Sequence, residues 1–150
     1  EIRQEIFRDR FSKDTVVRSI LKILSKESEA LVFVILDENI HSYGISNLLK
    51  YEEFRDIDKI ETVINILEDQ TFLRELVEKY SGSGVSLLIG EESGVDNLTD
   101  CAIAFTKIPF WEKEKSYVGI IGSKRMDYGK VLPALSEVKK ALESSMSGWR

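Results

Sequence analysis

Residues 101–108 read Cys-Ala-Ile-Ala-Phe-Thr-Lys-Ile, and residues 117–121 read Tyr-Val-Gly-Ile-Ile. Both runs are rich in apolar and β-favouring residues, and the first alternates bulky side chains with small ones. The alternation predicts a strand with one bulky face and one face small enough for a helix to pack closely. A similar run at residues 85–89 precedes them, and loops carrying Gly, Asp and Pro separate the three. Together they predict an antiparallel meander.

The first half of the chain predicts two more strands. The six-residue run Leu31-Val-Phe-Val-Ile-Leu36 is typical of a buried strand, and Asp37-Glu-Asn39 is typical of a turn. A second strand is expected at residues 40–43, ended by Gly44. Strands grouped with helical segments predict an α+β fold, with helices on both faces of the sheet.

Apolar residues at helical spacing predict the helices. A short lead-in helix carries Ile2, Ile6, Phe7 and Phe11, and Asp14 is the expected N-cap of the next helix, which ends within residues 25–29. Further helices are expected at residues 45–50, along the apolar stripe Ile57, Ile60, Ile64 and Leu67, and along the stripe Phe72, Leu73, Leu76, Val77 and Tyr80.

Two helix ends depend on special residues. The segment Ser81-Gly-Ser-Gly84 suits a left-handed cap after the helix that carries Tyr80. The last helix carries Tyr128, Val131, Leu135, Val138 and Leu142. Pro133 lacks an amide hydrogen and clashes with a carbonyl one turn earlier, so this helix is expected either to start near Pro133 or to bend there.

The composition restricts the classes of function. The 150 residues are 43% hydrophobic and 31% charged, as in one ordinary globular domain. The formal charge of −5 disfavours direct DNA binding, because duplex affinity comes largely from Lys and Arg placed against phosphates. The longest apolar run, residues 30–36, has seven residues, too few for a membrane span. The lone Cys101 fits a reducing cytoplasm, and a chain that starts with Glu and has no leader reads as an excised piece.

The residues offer little chemistry. One Cys and one His, without HxxxH or CxxC spacing, do not make a metal site, and no GxSxG, GxGxxG or GxxxxGK[ST] segment is present. Cys101 is expected in the core, and His41 reads better as a solvent-facing or hydrogen-bonded side chain than as a pH sensor. We therefore expect no catalytic, cofactor-binding or metal-binding residues, and no enzyme.

One group of charged residues is expected to meet at an edge of the sheet. In a meander the first and third strands run the same way, so the loops after Gly90 and after Gly122 leave from one edge. The residues expected there are Glu91, Glu92, Asp100, Arg125 and Asp127, with Lys124 beside them. We predict a contact between Arg125 and a carboxylate. We favour an ion pair that fixes the loop. The more specific alternative is an anion-binding or ligand-binding pocket at the start of a helix.

Three segments together resemble the heat-inducible transcription repressor family, HrcA. Ile89-Gly-Glu-Glu-Ser and Leu98-Thr-Asp-Cys-Ala are similar to the family's IGEEN and LxDCS, and Gly119-Ile-Ile-Gly-Ser-Lys-Arg-Met-Asp-Tyr128 is similar to GIIGPTRMDY. Upstream, Gly44-Ile-Ser-Asn-Leu-Leu and Glu53-Phe54 are similar to GLSNLL and PEF. The departures are Ser123-Lys124 for Pro-Thr, Ala102 for Ser, and Tyr51-Glu52 before the PEF-like pair, and they affect local loop detail.

The resemblance implies a GAF-like antiparallel sheet flanked by helices, and leaves open whether its first strands are present. Residues 1–30 would be lead-in helices, and could be the end of an inserted dimerisation segment, while residues 31–150 would be the GAF-like regulatory domain. The winged-helix DNA-binding domain of the family is expected to be absent from this chain.

The implied function is regulation and dimerisation in a cytoplasmic bacterial repressor of chaperone genes. Family members act as homodimers on operator DNA, and the chaperonin helps to keep them folded, so heat that diverts the chaperonin relieves repression. Operator DNA would be bound only through the winged helix. The alternative is a GAF-like sensor that binds a small molecule between the sheet and the helices, although no residue pattern identifies a ligand or cofactor. An uncovered strand edge would favour self-association.

Overall fold

The computed structural model describes residues 2–9 and 13–147. The helices there are α1 (Ile2–Asp9), α2 (Lys13–Ser28), α3 (Ile45–Leu48), α4 (Ile57–Glu68), α5 (Gln70–Tyr80) and α6 (Tyr128–Ser147). The strands are β1 (Leu31–Leu36), β2 (Asn39–Tyr43), β3 (Ser86–Ile89), β4 (Cys101–Lys107) and β5 (Ser116–Ser123). Short 3₁₀ turns lie at Glu52–Arg55, Gly90–Ser93 and Asp96–Leu98.

The five strands form one antiparallel sheet in the order β2-β1-β5-β4-β3. The predicted meander of β3, β4 and β5 is confirmed. β1 lies between β2 and β5, and a two-residue turn, Asp37-Glu38, joins it to β2. Asp37 has a φ of 55°, and its carboxylate accepts the amides of Glu114 and Lys115 at 3.1 and 2.8 Å. This side chain therefore fixes the β1–β2 turn to the β4–β5 hairpin.

Alternate residues of β1 enter two separate cores, because successive side chains of a strand point to opposite faces. Val32 and Val34 join the core under α1, α2 and α6, and Phe33 and Ile35 join the core under α3, α4 and α5. Both faces of the sheet are thus covered, and the predicted helices on both faces are confirmed. This open antiparallel sheet between two helical layers is an α+β architecture consistent with a GAF-like fold.

Small residues in the central strands admit large neighbours. Ala102 and Ala104 of β4 lie in the core that includes α6. α6 packs against β4, as expected for a strand face made of small side chains. On the other face, Gly119 of β5 lies beneath Phe33. A Cβ at Gly119 would lie 2.4 Å from Phe33 Cζ and 2.7 Å from the carbonyl oxygen of Ala104. Glycine is therefore required at this position by space.

The buried face of α4 differs from the prediction. Of the predicted stripe, Ile60 and Leu67 are partly buried against the core, whereas Ile57 is 78% exposed and Ile64 is 38% exposed. The fully buried residues of α4 are Val63 and Ile66. Six of the twelve residues of α4 are apolar, and at helical spacing they form two overlapping stripes. The contacts with α5 and with the turn at Asp96–Leu98 select the stripe that contains Val63.

Two helix-end predictions also need correction. Asp14 is not an N-cap, because α2 already includes Lys13; Asp14 lies in the first turn, where its charge still suits the helix dipole. α5 ends on Ser81 in extended conformation (φ −71°, ψ 135°), without a left-handed cap, and the hydroxyl of Ser86 donates to the carbonyl of Tyr80 at 2.8 Å. For the last helix, α6 begins at Tyr128 and includes Pro133, so a start near Pro133 is excluded and the alternative, a bend there, stays a prediction. Phe11 lies outside the described residues.

Candidate functional site at one end of the sheet

Five charged side chains gather where β4 begins and β5 ends. The paired residues Cys101 and Ser123 mark this end of the sheet. Around them lie Glu53, Lys59, Asp100, Lys124 and Arg125, which we call the charged cluster. Two of its members, Glu53 and Lys59, come from the helical segment between β2 and β3, so the cluster joins one helical layer to the β5–α6 loop.

Arg125 and Glu53 form a two-pronged ion pair. Arg125 Nη2 donates to Glu53 Oε1 at 2.7 Å, and Arg125 Nε donates to Oε2 at 3.3 Å. The hydroxyl of the buried Ser123 donates to the same Oε2 at 2.6 Å and accepts the amide of Arg125 at 3.1 Å. The Arg125 guanidinium lies 6.0 Å from the centre of the Tyr51 ring. The carboxylate of Glu53 therefore holds the start of the loop after β5.

The environment of Glu53 stabilises its charged form. The hydrogen bond from Arg125 is the largest cause that lowers the pKa of Glu53 from 4.5 to about 2, and the Ser123 hydroxyl lowers it further, against partial burial, which raises it. The Glu53 side chain is 13% exposed, whereas that of Arg125 is 64% exposed. Glu53 is thus the shielded partner of a pair whose other member is largely in water.

Asp100 is the second anion of the cluster. Lys59 Nζ donates to Asp100 Oδ2, and Lys124 Nζ lies 3.9 Å from Oδ1. The backbone continues the link, because the amide of Lys124 donates to the Asp100 carbonyl at 3.0 Å. The hydrogen bond to Asp100 is also the main cause that raises the pKa of Lys59. Asp100 therefore connects the entrance of β4 to α4 and to the β5–α6 loop.

The other residues of the predicted loop cluster have separate positions. Glu92 Oε1 accepts the amide of Ile89 at 2.6 Å, at the end of β3. Glu91 is exposed on the turn after β3, and Asp127 is exposed at the start of α6, where its carbonyl accepts the amides of Lys130 and Val131.

The carboxylate bound by Arg125 is Glu53, which the sequence reasoning did not place at this edge, and Lys59 was also missed. Asp100 and Arg125 lie in the charged cluster together with Lys124. The signal in the sequence for Glu53 is the Glu53-Phe54 pair, whose similarity to PEF indicates the family resemblance but not a position at this edge.

The cluster has little capacity for catalysis. Burial raises the pKa of the Cys101 thiol to about 12, so it is protonated at neutral pH, as expected for a core cysteine. His41 lies on β2, three strand spacings from β4, or roughly 14 Å. Among the residues that the structure describes, no group of three or more His, Cys, Asp or Glu side chains could hold a metal ion. The arrangement is that of an ion-paired link between layers.

A second polar arrangement joins α2 to α3. The Asn47 side-chain amide donates to Ser25 Oγ at 2.9 Å and to the Ala30 carbonyl at 3.0 Å. Gly44 precedes α3 with a φ of 90°, and a Cβ there would lie 2.5 Å from Ser25 Oγ. Beside this link is an open groove of about 720 Å³. Its lining includes Lys22, Lys26, Lys50, Glu29 and Tyr43.

Within the described ranges, no helix has the length and apolar character needed to cross a membrane.

Comparisons with known proteins give the family. The family described as "HrcA protein C terminal domain" matches residues 1–132. A heat-inducible transcription repressor HrcA of Brevibacillus brevis is 30% identical over 74% of this chain and 32% of its own length. The repressor of the same name from Lachnoclostridium phytofermentans is 30% identical over 85% of this chain and 36% of its own length. The chain therefore spans about a third of these relatives.

A solved structure agrees on the fold. A crystal structure of a hypothetical protein at 2.2 Å resolution superposes with a TM-score of 0.69, covering 91% of this chain and 76% of that one. Its identity is only 14%, so the likeness concerns the fold alone. Because the family match extends over most of the chain and relatives of the same name reach 30% identity, this chain belongs to the HrcA family, in the region described as its C-terminal domain.

Proposed function

We propose that this chain is the regulatory and dimerisation part of a bacterial transcriptional repressor of heat-shock genes. The observation that carries the proposal is the family match over residues 1–132, supported by relatives called heat-inducible transcription repressors. The chain would act in the cytoplasm as a homodimer. Its formal charge of −5 suits a part that does not itself bind DNA, so operator recognition is assigned to a winged-helix domain of the intact repressor.

In this proposal the stability of the fold is the regulated quantity. Small domains are stabilised by only about 5–15 kcal/mol, and a loss of about 1–2 kcal/mol raises the ratio of unfolded to folded molecules about 5- to 30-fold, which can change the amount of protein in a cell several-fold. The chaperonin would maintain the folded population, and heat, by occupying the chaperonin, would reduce it. The two-layer construction supports this view, because the charged cluster and the Asn47 link connect segments that are distant in sequence. No catalytic step is needed.

We also propose a division of labour along the chain. Residues 1–30 would be lead-in helices that end an inserted dimerisation segment, and residues 31–150 would be the GAF-like regulatory domain. α1 and α2 pack against α6, and α2 also packs against β1. A conformational change in residues 1–30 would therefore alter the packing of the sheet. The loop residues Glu91, Glu92, Asp100, Arg125 and Asp127 would have a structural role, which the bonds made by Glu92, Asp100 and Arg125 support.

The alternative is a GAF-like sensor of a small molecule. The observation in its favour is the open groove between α2 and α3, whose volume of about 720 Å³ lies within the range of ligand sites. Three lysines against one glutamate would select an anionic ligand. Inorganic phosphate and nucleotides should then raise the melting temperature in a concentration-dependent way. Unchanged melting would remove this alternative.

The test of the main proposal compares this chain with the intact repressor. Operator binding and thermal melting are measured for each protein, with and without chaperonin. We expect only the intact repressor to bind operator, and chaperonin to increase its active fraction. Tight operator binding by the 150-residue chain would contradict the assigned role, and an active fraction independent of chaperonin would contradict the mechanism.

A further inference from the structure

The helices on one face of the sheet come from a single stretch of chain. Residues 44–80, which we call the α3–α5 layer, contain α3, α4, α5 and the turn at Glu52–Arg55. This stretch leaves the sheet after β2 and returns to it at β3, and these are the two outer strands in the order β2-β1-β5-β4-β3. The layer therefore crosses one whole face of the sheet without contributing a strand to it.

Side chains connect the α3–α5 layer to the rest of the molecule. Among the described residues, the backbone–backbone hydrogen bonds of residues 44–80 all lie within the layer. Its polar links to other segments include those made by Asn47, by Glu53 with Arg125, and by Lys59 with Asp100. Separation of the layer would therefore break side-chain links and apolar packing, but none of the strand pairings of the sheet.

The sheet keeps the apolar core of this layer apart from the second core. Leu48, Phe54 and Val77 of the layer pack with Phe33 and other side chains on one face of the sheet. The core on the opposite face lies under α1, α2 and α6, and it includes no described residue from 44 to 80. Loss of the first core would thus leave the second core and its helices in place. Proteins commonly open in such separate cooperative units.

The α3–α5 layer is also the more thinly buried of the two helical layers. Seven of its 37 residues are buried, whereas seven of the sixteen residues of α2 are buried on the other face. Large apolar side chains remain exposed on it, with Leu49 51% and Ile57 78% accessible. Segments with few buried apolar side chains open at a lower free energy than the whole domain. This layer is therefore the one expected to open first.

We propose that residues 44–80 open from the sheet as one unit, while the five strands and α1, α2 and α6 stay folded, and that the Glu53–Arg125 ion pair is the latch of the closed state. The chain itself holds the two ends of the layer at β2 and β3. Glu53 lies between these ends, and its carboxylate accepts hydrogen bonds from Arg125 and from the buried Ser123 at the end of β5. Breaking these bonds therefore favours the open state.

The opening gives the proposed function a defined segment. Its regulatory meaning rests on that proposed function, whereas the opening itself is a property of the 150-residue chain. The open state would expose the sheet face that carries Phe33, Ile103 and Phe105, which are buried in the closed state. Such an apolar surface is of the kind that chaperones bind and that otherwise promotes aggregation. The α3–α5 layer would then be the part whose folded fraction is regulated.

Cys101 is a built-in reporter of this opening. It is the single cysteine of the chain, and its side chain, only 2% exposed, lies in the core between the sheet and the α3–α5 layer. Burial is the main cause that raises the pKa of its thiol to about 12, and the charges of Asp100, Lys59 and Glu53 also act on that pKa. The latch therefore adjoins the thiol, and alkylation of the thiol requires the layer to move.

The test measures the rate at which iodoacetamide labels Cys101 at pH 8, in the range where the rate is proportional to the reagent concentration. Glu53→Gln breaks the latch, Glu52→Gln is its matched control, and Val138→Ala damages the core on the opposite face. We expect Glu53→Gln to raise the rate about fivefold or more, and Glu52→Gln to leave it within about twofold. Val138→Ala should lower the urea midpoint but leave the rate within about twofold, because the open state keeps that core. Circular dichroism checks that each variant is folded.

The same measurement can overturn the proposal. If Val138→Ala raises the labelling rate by the factor by which it raises the global unfolding constant, Cys101 is exposed only by global unfolding and there is no separate unit. An unchanged rate in Glu53→Gln would overturn the role of the latch.

Amide hydrogen exchange at increasing urea concentrations gives an independent result on the unmodified chain. The amides of α4 and α5 should share one free energy of opening, lower and less dependent on urea than that of β1, β5 and α6. Equal free energies and urea slopes for the two helical layers would overturn the opening unit. Operator binding by the intact repressor tests the repressor role separately, so the opening and the proposed function can fail independently.

Discussion

Replacing Glu53 by Gln should remove the ion pair with Arg125 while keeping the size and shape of the side chain. The Glu53 carboxylate accepts three hydrogen bonds, from Arg125 Nη2, Arg125 Nε and the buried Ser123 hydroxyl. A neutral amide offers one acceptor oxygen and turns a donor towards the guanidinium or the hydroxyl. The expected result is a lower free energy of unfolding at neutral pH.

The magnitude follows from the pKa of Glu53. A fall from 4.5 to about 2 corresponds to at most about 3.4 kcal/mol of stabilisation by the charged form. Arg125 is 64% exposed, so solvent screens the pair, and a loss of about 1–1.5 kcal/mol is the expected effect. Because the pKa is lower in the folded state, this contribution is complete above pH 4.5 and is lost as the pH falls through 2.

The assay is urea unfolding of the wild type, Glu53→Gln and the matched control Glu52→Gln between pH 7 and pH 2.5. Glu52 is exposed on the same turn, so its variant makes the same charge change and should alter the free energy of unfolding by less than about 0.5 kcal/mol. The gap between wild type and Glu53→Gln should be constant from pH 7 to pH 5 and shrink below pH 4.5. Equal stability of the two variants, or a gap that does not shrink in acid, would refute the reasoning.

Three further changes test other parts of the structure. Gly119→Ala should lower the free energy of unfolding by about 3 kcal/mol or more in urea titrations, because its Cβ would lie 2.4 Å from Phe33 Cζ; a loss below 1 kcal/mol would contradict the close packing. Asn47→Ala should cost about 1–2 kcal/mol in the same assay, whereas the exposed Asn65→Ala should be nearly neutral. Cys101, with a pKa of about 12, should react with iodoacetamide at pH 8 far more slowly in the folded chain than in guanidinium, and equal rates would show that it is accessible.

The sheet could be predicted from the sequence because its strands have simple hydrophobic patterns. β1 is buried at all six positions and reads as an uninterrupted apolar run, and β4 alternates Ala with bulky residues because its two faces meet different helical layers. The site could be predicted only in part. The predicted meander places Asp100 and Lys124 at one edge of the sheet, but the partner of Arg125 is Glu53, 72 residues earlier in the chain.

That missing partner illustrates what local patterns do not encode. Glu53 reaches the edge because the turn at Glu52–Arg55 is anchored by Phe54, which is fully buried, and no periodicity in the sequence specifies where such a turn will pack. The face of α4 had the same difficulty. Its apolar residues form two overlapping stripes, and only the positions of α5 and the Asp96–Leu98 turn decide between Ile64 and Val63.

The position of β1 beside β5 has a consequence for synthesis. Leu36 pairs with Ser116 and Leu31 with Ile121, so 80 to 90 residues of chain separate the partners. At ribosomal rates of roughly 5–20 residues per second, β1 waits about 4–18 s for its neighbour to be made. During that time Leu-Val-Phe-Val-Ile-Leu, an uncharged segment without proline, has only the β2 side of its backbone paired and is prone to aggregate. Each new molecule therefore passes through an interval in which its fate depends on what binds β1 before β5 does.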